Sequence, residues 1–246
     1  MKKELIRRWL IRDKYEGKEN PTALARDFAR LRAGEPVDYV IGWKEFCGVH
    51  VDLSLRPLIP REETEQWARE ILSQIKKLKA PRVLDLCAGS GAIGLAVLNA
   101  HPRAHVTFAD ISPKALQQIK KNLLLHSNFK KRAKVVQSNL FGTILGNFDF
   151  ILTNPPYIPS ARIARLPRGV RQFESYRALD GGVDGLRFIK KIIRDVPAHL
   201  TPQGVLVMEV DSRHAKHVAV FAREYFTSVT IHKDQYKRPR VLILKK

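Results

Sequence analysis

Residues 83–94 read Val-Leu-Asp-Leu-Cys-Ala-Gly-Ser-Gly-Ala-Ile-Gly. The first four residues are typical of a buried strand, the glycines predict a tight turn, and the apolar residues after Gly91 begin a helical pattern. Glycine lets the backbone turn with positive φ and approach a ligand closely, while a helix start presents free N–H groups. This stretch therefore predicts a strand–turn–helix unit that can bind a nucleotide-like ligand.

Outward from this unit, short β-rich runs alternate with helical stretches. Strands are predicted at 82–86, 106–109, 134–137, 148–153, 204–210, 229–232 and 241–244. Helices are predicted at 91–100, 113–125, 186–200 and 213–226. Strands joined by helices imply an α/β fold with a mostly parallel sheet covered on both faces. The last two strands are separated only by a proline-containing loop, so we expect them to pair antiparallel at an edge.

The chain before the sheet has a different pattern. Residues 2–33 predict two short amphipathic helices separated by Gly17 and the Asn20-Pro21 break. Alternating apolar residues from 37 to 55 predict a hairpin or a pair of short strands. A helix is predicted at 64–78, with acidic residues at its start and lysines at its end. We divide the chain into a small N-terminal helical domain (1–35), a β-hairpin linker (36–58) and a large α/β domain (59–246).

Composition excludes several classes of protein. The chain has 246 residues, an apolar share of 44% and two cysteines, which is typical of a globular protein that needs no disulfide scaffold. Cys47 and Cys87 form no Cys-x-x-Cys pair, so neither zinc nor redox chemistry is indicated. The longest apolar runs fall far short of the roughly 20 residues that a membrane span requires. The N-terminus lacks a signal-peptide pattern. We therefore expect a cytoplasmic protein that does not contact a membrane.

The net charge of +20 lies mostly after residue 80. This charge favours a protein that works near nucleic acid or ribonucleoprotein, or one that binds an acidic partner. A lysine-rich surface that is simply solvated explains the charge equally well. Residues 158–177 contain five arginines and one acidic residue, Glu174. We predict a loop there, whose charge either guides an acidic or RNA-associated substrate or is simply solvated. The histidines show no metal-ligand spacing, so no metal is expected.

Two aspartates favour one cofactor over another. Asp110 follows the second strand about 20 residues after the glycine turn, where a carboxylate can accept the hydroxyls of a ribose. Ser112-Pro113 begins the next helix and fixes Asp110 at the strand end. Asp85 directly precedes the turn, where it would repel a pyrophosphate but attract the ammonium and sulfonium of S-adenosylmethionine. The pair favours S-adenosylmethionine, with an unliganded turn as the alternative.

The strand at 148–153 ends in Asn154-Pro155-Pro156-Tyr157. The two prolines fix φ and remove two N–H donors, which leaves the Asn154 side-chain oxygen and the Pro155 carbonyl as acceptors. Acceptors aimed at both hydrogens of an NH2 group stabilise the nitrogen as it gains positive charge in the transition state. Tyr157 is expected to stack on the flat face of an amide or base. The motif predicts methyl transfer to an amino nitrogen; a rigid turn with a packed tyrosine is the alternative.

Several further motifs accompany these. They are Arg32–Pro36 with Tyr39 and Gly42, Glu45-Phe46 with Gly48, Leu58–Arg61 with Glu63–Glu65, Phe173-Glu174 with Ala178-Leu179, Gly181-Gly182 with Asp184–Leu186, and Asp234 with Arg240. In all these motifs, from about residue 31 to the C-terminus, the chain resembles the release factor glutamine methyltransferases, also called HemK/PrmC-like. The Pro-Arg-x-x-Thr-Glu and Gly-Gly-x-Asp-Gly-Leu stretches distinguish this family from other amino methyltransferases.

The resemblance implies a fold, a substrate and a set of site residues. The fold is a Rossmann-like, seven-strand class I methyltransferase sheet, preceded by a helical domain that helps to bind a peptide-chain release factor. The substrate atom is the side-chain nitrogen of a Gly-Gly-Gln glutamine. By position, Cys87, Ala88, Gly89, Ser90 and Gly91 would line the methionine part of the cofactor, Asp110 the ribose, Asn139 and Leu140 the adenine, and Asn154, Pro155, Pro156 and Tyr157 the glutamine amide.

Some positions depart from the family pattern. Cys87 and Asp211 stand where glycine is usual, Asn139 where Asp is usual, and Ser175 where Pro is usual. The presence of Cys87 raises the question of whether the backbone at this position needs a positive φ. Asn139 in place of Asp is expected to weaken a hydrogen bond to the adenine amino group without removing it. The runner-up function is an adenine or cytosine amino methyltransferase on RNA or DNA. A third is a non-catalytic assembly factor that uses its basic surface on ribosomal RNA.

Overall fold

The structure, a computed structural model, describes residues 2–246 and begins with a small helical region. Its elements are α1 (Lys2–Trp9), a π-helical turn (Leu10–Lys14), α2 (Pro21–Arg32) and α3 (Val37–Ile41). Asn20 begins α2 by accepting a hydrogen bond from the Ala23 N–H. Buried Leu10, Leu24 and Val40 give the region a small core of its own. The two helices predicted within 2–33 are confirmed.

The stretch 37–55 is only partly extended. The hairpin is present as β1 (Trp43–Phe46) and β2 (Val49–Asp52). Extended structure from Val37 was a wrong expectation, because Val37–Ile41 is the helix α3. Pro36 precedes this helix with a φ of −56°, and Gly42 ends it with a φ of 100°. Three alternating apolar residues are too few to distinguish a strand from little more than one helical turn.

The boundaries of the N-terminal helical domain, the hairpin linker and the α/β domain stay predictions.

Buried Glu35 ties the helical region to the chain that follows it. Its carboxylate accepts hydrogen bonds from the Arg30 guanidinium of α2 at 2.7 and 2.9 Å and from Arg56 at 2.8 Å. The bond from Arg30 lowers the pKa of Glu35 although burial opposes the shift. Glu35 therefore stays ionised and fixes α2 against the segment that leads into the large sheet.

Seven strands form the central sheet. They are β3 (Arg82–Leu86), β4 (His105–Asp110), β5 (Ala133–Gln137), β6 (Phe148–Thr153), β7 (Leu200–Glu209), β8 (Ser228–Lys233) and β9 (Pro239–Lys245), in the order β5-β4-β3-β6-β7-β9-β8. The first five strands pair parallel, and β9 runs antiparallel to both β7 and the edge strand β8. The predicted seven-strand sheet with an antiparallel edge pair is confirmed.

Helices cover both faces of this sheet. The helices of this part of the chain are α4 (Glu62–Ile75), α5 (Ala92–Ala100), α6 (Pro113–Leu125), α7 (Ser160–Ile163), α8 (Arg168–Phe173), α9 (Tyr176–Leu179), α10 (Arg187–Asp195) and α11 (Ala215–Ala222), with 3-10 turns at Ser127–Arg132 and Val196–His199. α4, α5 and α6 bury Ile71, Leu95 and Ile119 on one face. α10 and α11 bury Ile192 and Val218 on the other. Because the first five strands run parallel, their carboxyl ends lie together at one edge of the sheet, where open α/β sheets bind ligands.

The predicted helix at 186–200 is too long. α10 ends at Asp195, a 3-10 turn containing Pro197 follows it, and β7 begins at Leu200. Proline has no N–H for the α-helical ladder, which explains the early end. The predicted helix at 213–226 is also longer than α11.

The segment 158–177 is not the loop we predicted. It contains the short helices α7 and α8 and the start of α9. Arg162 pairs with Asp211 at 2.7 Å, and Arg171 donates a hydrogen bond to the Ala164 carbonyl at 2.8 Å. Asp211, a position where the resembling family usually has glycine, thus anchors α7. Arg168 donates a hydrogen bond to the Gln172 side-chain oxygen at 2.9 Å, so three of the five arginines are engaged within the protein.

Candidate functional site

The turn between β3 and α5 adopts left-handed backbone at a residue that is not glycine. Cys87 has a φ of 58°, beside Gly89 at 54° and Gly91 at 81°. Left-handed backbone costs an L residue about 1–2 kcal/mol, which accounts for glycine as the usual residue at this position. Burial raises the pKa of the Cys87 thiol, so the side chain is a neutral packing group.

Asp85 lies beneath this turn rather than on a cavity wall. Its carboxylate is fully buried, and Oδ2 accepts a hydrogen bond from the Gly94 N–H of α5 at 2.8 Å. Oδ1 has no hydrogen-bond partner among the residues that the structure describes. Burial raises the pKa of Asp85 well above its usual value. Attraction of a cationic cofactor by Asp85 would act across the turn, and this role stays a prediction.

Asp85→Asn is expected to change the pH dependence of stability. Because burial raises the folded-state pKa, ionised Asp85 opposes folding, and its cost appears as the pH rises from the unfolded-state pKa of about 3.9 through the folded-state value. An amide does not titrate. The free energy of unfolding of the variant should therefore rise relative to the wild type between about pH 5 and pH 8. Urea unfolding at both pH values measures this, and a difference that does not vary with pH would contradict it.

Asp110 ends β4 with both carboxylate oxygens turned to backbone donors. Oδ2 accepts a hydrogen bond from the Gly89 N–H at 2.9 Å, and Oδ1 accepts one from the Ser112 N–H at 2.8 Å. Burial raises the pKa of Asp110, although these backbone bonds and the charge of Arg177 act in the opposite direction. Each oxygen keeps a lone pair, so the side chain can accept two further hydrogen bonds from a diol.

A cavity of about 740 Å³ opens at the carboxyl ends of β3, β4 and β6. The predicted cofactor residues on its wall are Cys87, Ala88, Gly89, Ser90, Asp110, Asn139, Leu140 and Asn154; Asp85 and Gly91 do not line it. Half-exposed Ile111 also lines the cavity and was missed, although an apolar residue directly after Asp110 was a usable signal. The volume suits a cofactor-sized ligand. With the free lone pairs of Asp110 at the wall, the residues present fit S-adenosylmethionine.

A second, smaller cavity of about 250 Å³ adjoins the Asn-Pro-Pro-Tyr corner. Pro155 and Tyr157 line it, whereas Pro156 lines the larger cavity. Asn154 lines both. Apolar side chains make most of the remaining wall: Leu58, Ile158, Leu166, Val170, Ala178 and Leu179. The four predicted substrate residues thus stand at the junction of the two cavities.

Asn154 is held by Thr64 of the Pro-Arg-x-x-Thr-Glu motif, and behind Thr64 by Glu209, which sequence reasoning did not single out. Its amide Nδ2 donates a hydrogen bond to the Thr64 Oγ1 of α4 at 3.1 Å. Thr64 in turn donates to the Glu209 carboxylate at the end of β7 at 2.6 Å. Glu209 also accepts a hydrogen bond from the Tyr157 hydroxyl at 2.9 Å. One usable signal was the single acid, Glu209, within the otherwise apolar run 205–210.

Arg61 stands on the wall of both cavities and closes the site on one side. Its guanidinium donates hydrogen bonds to both carboxylate oxygens of Glu174, at 2.7 and 2.6 Å. The pKa of Glu174 is raised by burial, although the charge of Arg61 acts in the opposite direction. The pair joins the start of α4 to the segment after α8 at the wall of the larger cavity.

The Gly-Gly-x-Asp-Gly stretch packs directly against the backbone of the Asn-Pro-Pro-Tyr corner. A Cβ at Gly181 would lie 2.8 Å from the Tyr157 Cα, and one at Gly185 would lie 2.4 Å from the Tyr157 carbonyl oxygen. Gly185 also has a φ of 75°. Only glycine allows this approach. The motif therefore supports the backbone position of Tyr157.

Among the described residues 2–246, no group of three His, Cys, Asp or Glu side chains could hold a metal ion. Within the same residues, no helix is long and apolar enough to cross a bilayer.

Comparisons with known proteins agree with this geometry. A methyltransferase small domain model matches residues 61–165. The chain is 35% identical over 216 residues to a release factor glutamine methyltransferase of Borreliella burgdorferi, covering 87% of this chain and 74% of that protein. It is 33% identical to a release factor glutamine methyltransferase of Deinococcus radiodurans, covering 94% and 82%.

Solved structures support the fold. A methyltransferase from Pyrococcus furiosus superposes with a TM-score of 0.61 at 18% identity, over 90% of this chain and 98% of that one. A Thermus thermophilus 16S rRNA methyltransferase, solved with AdoMet and guanosine, gives a TM-score of 0.58 at 16% identity, over 83% and 49%.

The sheet order and the cavity at its carboxyl edge define a class I methyltransferase, as predicted. Within that class, the chain belongs to the release factor glutamine methyltransferase family.

Proposed function

We propose that this protein is an S-adenosylmethionine-dependent protein-glutamine N5-methyltransferase. Its substrate is the side-chain amide of the Gly-Gly-Gln glutamine in a peptide-chain release factor. The observation that carries the proposal is the position of Asn154, which lines both cavities and whose amide oxygen accepts no hydrogen bond from the described residues. Membership of the release factor glutamine methyltransferase family supports the choice of acceptor.

The residues of the corner act on the acceptor amide. Bound S-adenosylmethionine supplies an electrophilic methyl group on a sulfonium. The Asn154 Oδ1 and the Pro155 carbonyl accept hydrogen bonds from the glutamine NH2, and these bonds strengthen as the nitrogen gains positive charge. Tyr157 holds the flat face of the amide and limits its rotation. The methylated nitrogen is acidic, so its proton leaves to water or to the same oxygens without a dedicated base.

The proposed function requires a peptide-chain release factor as partner. We assign the basic surface to contact with the surroundings of that release factor. The formal charge of +20 suits a protein that works close to RNA, and electrostatic attraction would speed encounter with acidic or RNA-associated targets. Translation termination then implies a cytoplasmic location. The Arg-rich segment 158–177 borders the second cavity through Leu166 and Val170 and is the part of this surface next to the acceptor.

Methyl transfer to a defined glutamine tests the proposal. The protein is incubated with labelled S-adenosylmethionine and a release factor that carries Gln or Ala at the Gly-Gly-Gln position. Label is expected in the Gln protein alone. Equal labelling of both proteins would remove the proposal. A parallel incubation with total RNA addresses the runner-up function, which label in RNA rather than protein would favour.

Asp110→Ala is expected to weaken cofactor binding before it affects turnover. Loss of the carboxylate removes charge-assisted hydrogen bonding to the ribose hydroxyls. One such bond is worth about 1.5–3 kcal/mol, so the Kd for S-adenosylmethionine should rise by at least about 10- to 100-fold. The kcat at saturating cofactor should stay close to the wild-type value. Titration calorimetry and steady-state kinetics measure the two effects. A lower kcat with unchanged Kd would show that the role of Asp110 is misassigned.

A further inference from the structure

A buried carboxylate collects three hydrogen-bond donors behind the Asn-Pro-Pro-Tyr corner. Glu209 is 1% exposed. Its Oε2 accepts hydrogen bonds from the Thr64 hydroxyl at 2.6 Å and the Trp67 indole N–H at 2.9 Å, and its Oε1 accepts one from the Tyr157 hydroxyl at 2.9 Å. All three donors come from elements other than β7, so the carboxylate links α4 to the catalytic corner.

These bonds have a direction. Glu209 Oε2 accepts from the Trp67 indole N–H, which can only donate, so the Thr64 hydroxyl on the same oxygen also points its proton to Glu209. A hydroxyl has one proton, and Thr64 therefore meets Asn154 as an acceptor. The Asn154 atom 3.1 Å from Thr64 Oγ1 must then be the donor, Nδ2. The chemistry of its partners therefore assigns the orientation of the Asn154 amide, with Nδ2 toward Thr64.

We propose that Glu209, acting through Thr64, is a positioning residue that keeps the Asn154 amide oxygen facing the acceptor nitrogen. The inference rests on the proposed function, because the orientation matters only if Asn154 receives an NH2 group. An amide rotated by 180° would present its own NH2 to the NH2 of the substrate. Two donors would then face each other, and the corner would lose one of its two acceptors.

The same carboxylate also fixes the second side chain of the corner. Its bond to the Tyr157 hydroxyl restrains the ring that is assigned to the flat face of the acceptor amide. Burial raises the pKa of Tyr157 well above its usual value, and the charge of Glu209 adds to the shift. The phenol is therefore neutral and donates to Glu209. One buried acid thus orients both polar side chains of the motif.

A purely structural role for Glu209 makes a different prediction. If the carboxylate only joins α4 to β7, its loss should lower the melting temperature and leave the kcat of the folded fraction unchanged. If it positions Asn154, variants that keep the fold but lose the direction of the bonds should lose kcat. Thr64 separates the two roles, because its hydroxyl can be removed or kept with little change in volume.

The test compares Thr64→Val with Thr64→Ser and adds Glu209→Gln. Valine matches threonine in shape but has no hydroxyl, whereas serine keeps it. Glutamine keeps the shape of glutamate. Because the Trp67 N–H can only donate, the glutamine oxygen stays on Trp67 and Thr64, and its NH2 faces the Tyr157 hydroxyl. We expect Thr64→Val to lower kcat about 10- to 100-fold with little change in the Kd of S-adenosylmethionine. Glu209→Gln keeps the acceptor for Thr64 and should lose less kcat than Thr64→Val. Thr64→Ser should stay within about threefold of the wild type.

A control variant should lower the stability of the protein through a substitution far from the site. His101→Ala removes a buried side chain whose ring nitrogens bond to the Leu78 carbonyl and the Arg103 N–H at the other end of α5. We expect a lower melting temperature and an unchanged kcat at a temperature where the variant is folded. A kcat loss in Thr64→Val no larger than in His101→Ala would overturn the positioning role.

A second readout does not depend on turnover. In protein labelled with ¹⁵N-asparagine, hydrogen exchange of the Asn154 carboxamide should be slowed in the wild type and in Thr64→Ser, and faster in Thr64→Val. Equal exchange in all three would refute the orientation even if the release factor is methylated. If the wild type methylates no release factor while the exchange pattern appears, the proposed function fails and the orientation of Asn154 stands.

Discussion

Asn154→Ala is expected to lower the kcat of methyl transfer about 10²- to 10³-fold, the loss typical when one group that stabilises a charged transition state is removed. The variant loses the side-chain acceptor and keeps only the Pro155 carbonyl. The cofactor cavity keeps its other walls, so the Kd for S-adenosylmethionine should change little. Single-turnover kinetics at saturating substrate, with calorimetry of cofactor binding, measure both quantities.

The same strand offers a matched control. Asn147 immediately precedes β6, at the end opposite to the corner, and donates hydrogen bonds to the Ala198 and Leu200 carbonyls at 3.1 Å each. Asn147→Ala should cost some stability and leave kcat unchanged. If Asn154→Ala raises the Kd of the cofactor and leaves kcat intact, the residue is a cofactor ligand and the assigned chemistry is wrong.

Gly185→Ala is expected to lower both the stability and the turnover of the protein. The new methyl group would lie 2.4 Å from the Tyr157 carbonyl oxygen and 3.0 Å from Pro159 Cδ, on a backbone with a φ of 75°. Left-handed strain costs about 1–2 kcal/mol and overpacking about 1–3 kcal/mol. The shift needed to relieve the clash moves Tyr157, so kcat should fall together with the melting temperature.

Gly17→Ala separates the strain from the clash. Gly17 has a φ of 82°, close to that of Gly185, but a Cβ there meets nothing within 4 Å. We expect it to cost only the backbone strain and to leave kcat at the wild-type value. Calorimetric melting and kinetics on both variants make the comparison. Equal effects of the two substitutions on kcat would contradict the packing role assigned to the Gly-Gly-x-Asp-Gly motif.

Features with a local cause were predictable from the sequence. The unit from β3 through the glycine turn to α5 follows from a short apolar run, clustered glycines and a helical pattern that lie within twelve residues. The mostly parallel character of the sheet was predictable because parallel strands need crossover helices. Local patterns failed where they were short, as at α3, or where arginines suggested solvent, as at α7 and α8.

The support of the site was not predictable from local patterns. Glu209 meets Thr64 and Trp67 across 145 and 142 positions of sequence, and Arg61 meets Glu174 across 113. Contacts of that range depend on the assembled sheet, which brings the end of β7 beside the start of α4. The resemblance singled out the threonine as part of a motif but gave no reason for it. The hydrogen bond from Asn154 supplies that reason.

A crystal structure with S-adenosylhomocysteine and a Gly-Gly-Gln peptide tests the central claim most directly. We expect the glutamine side-chain nitrogen to lie within about 3.2 Å of both the Asn154 Oδ1 and the Pro155 carbonyl oxygen, and to face the sulfur of the cofactor product. A peptide held elsewhere, or an Asn154 amide turned away from that sulfur, would contradict the account.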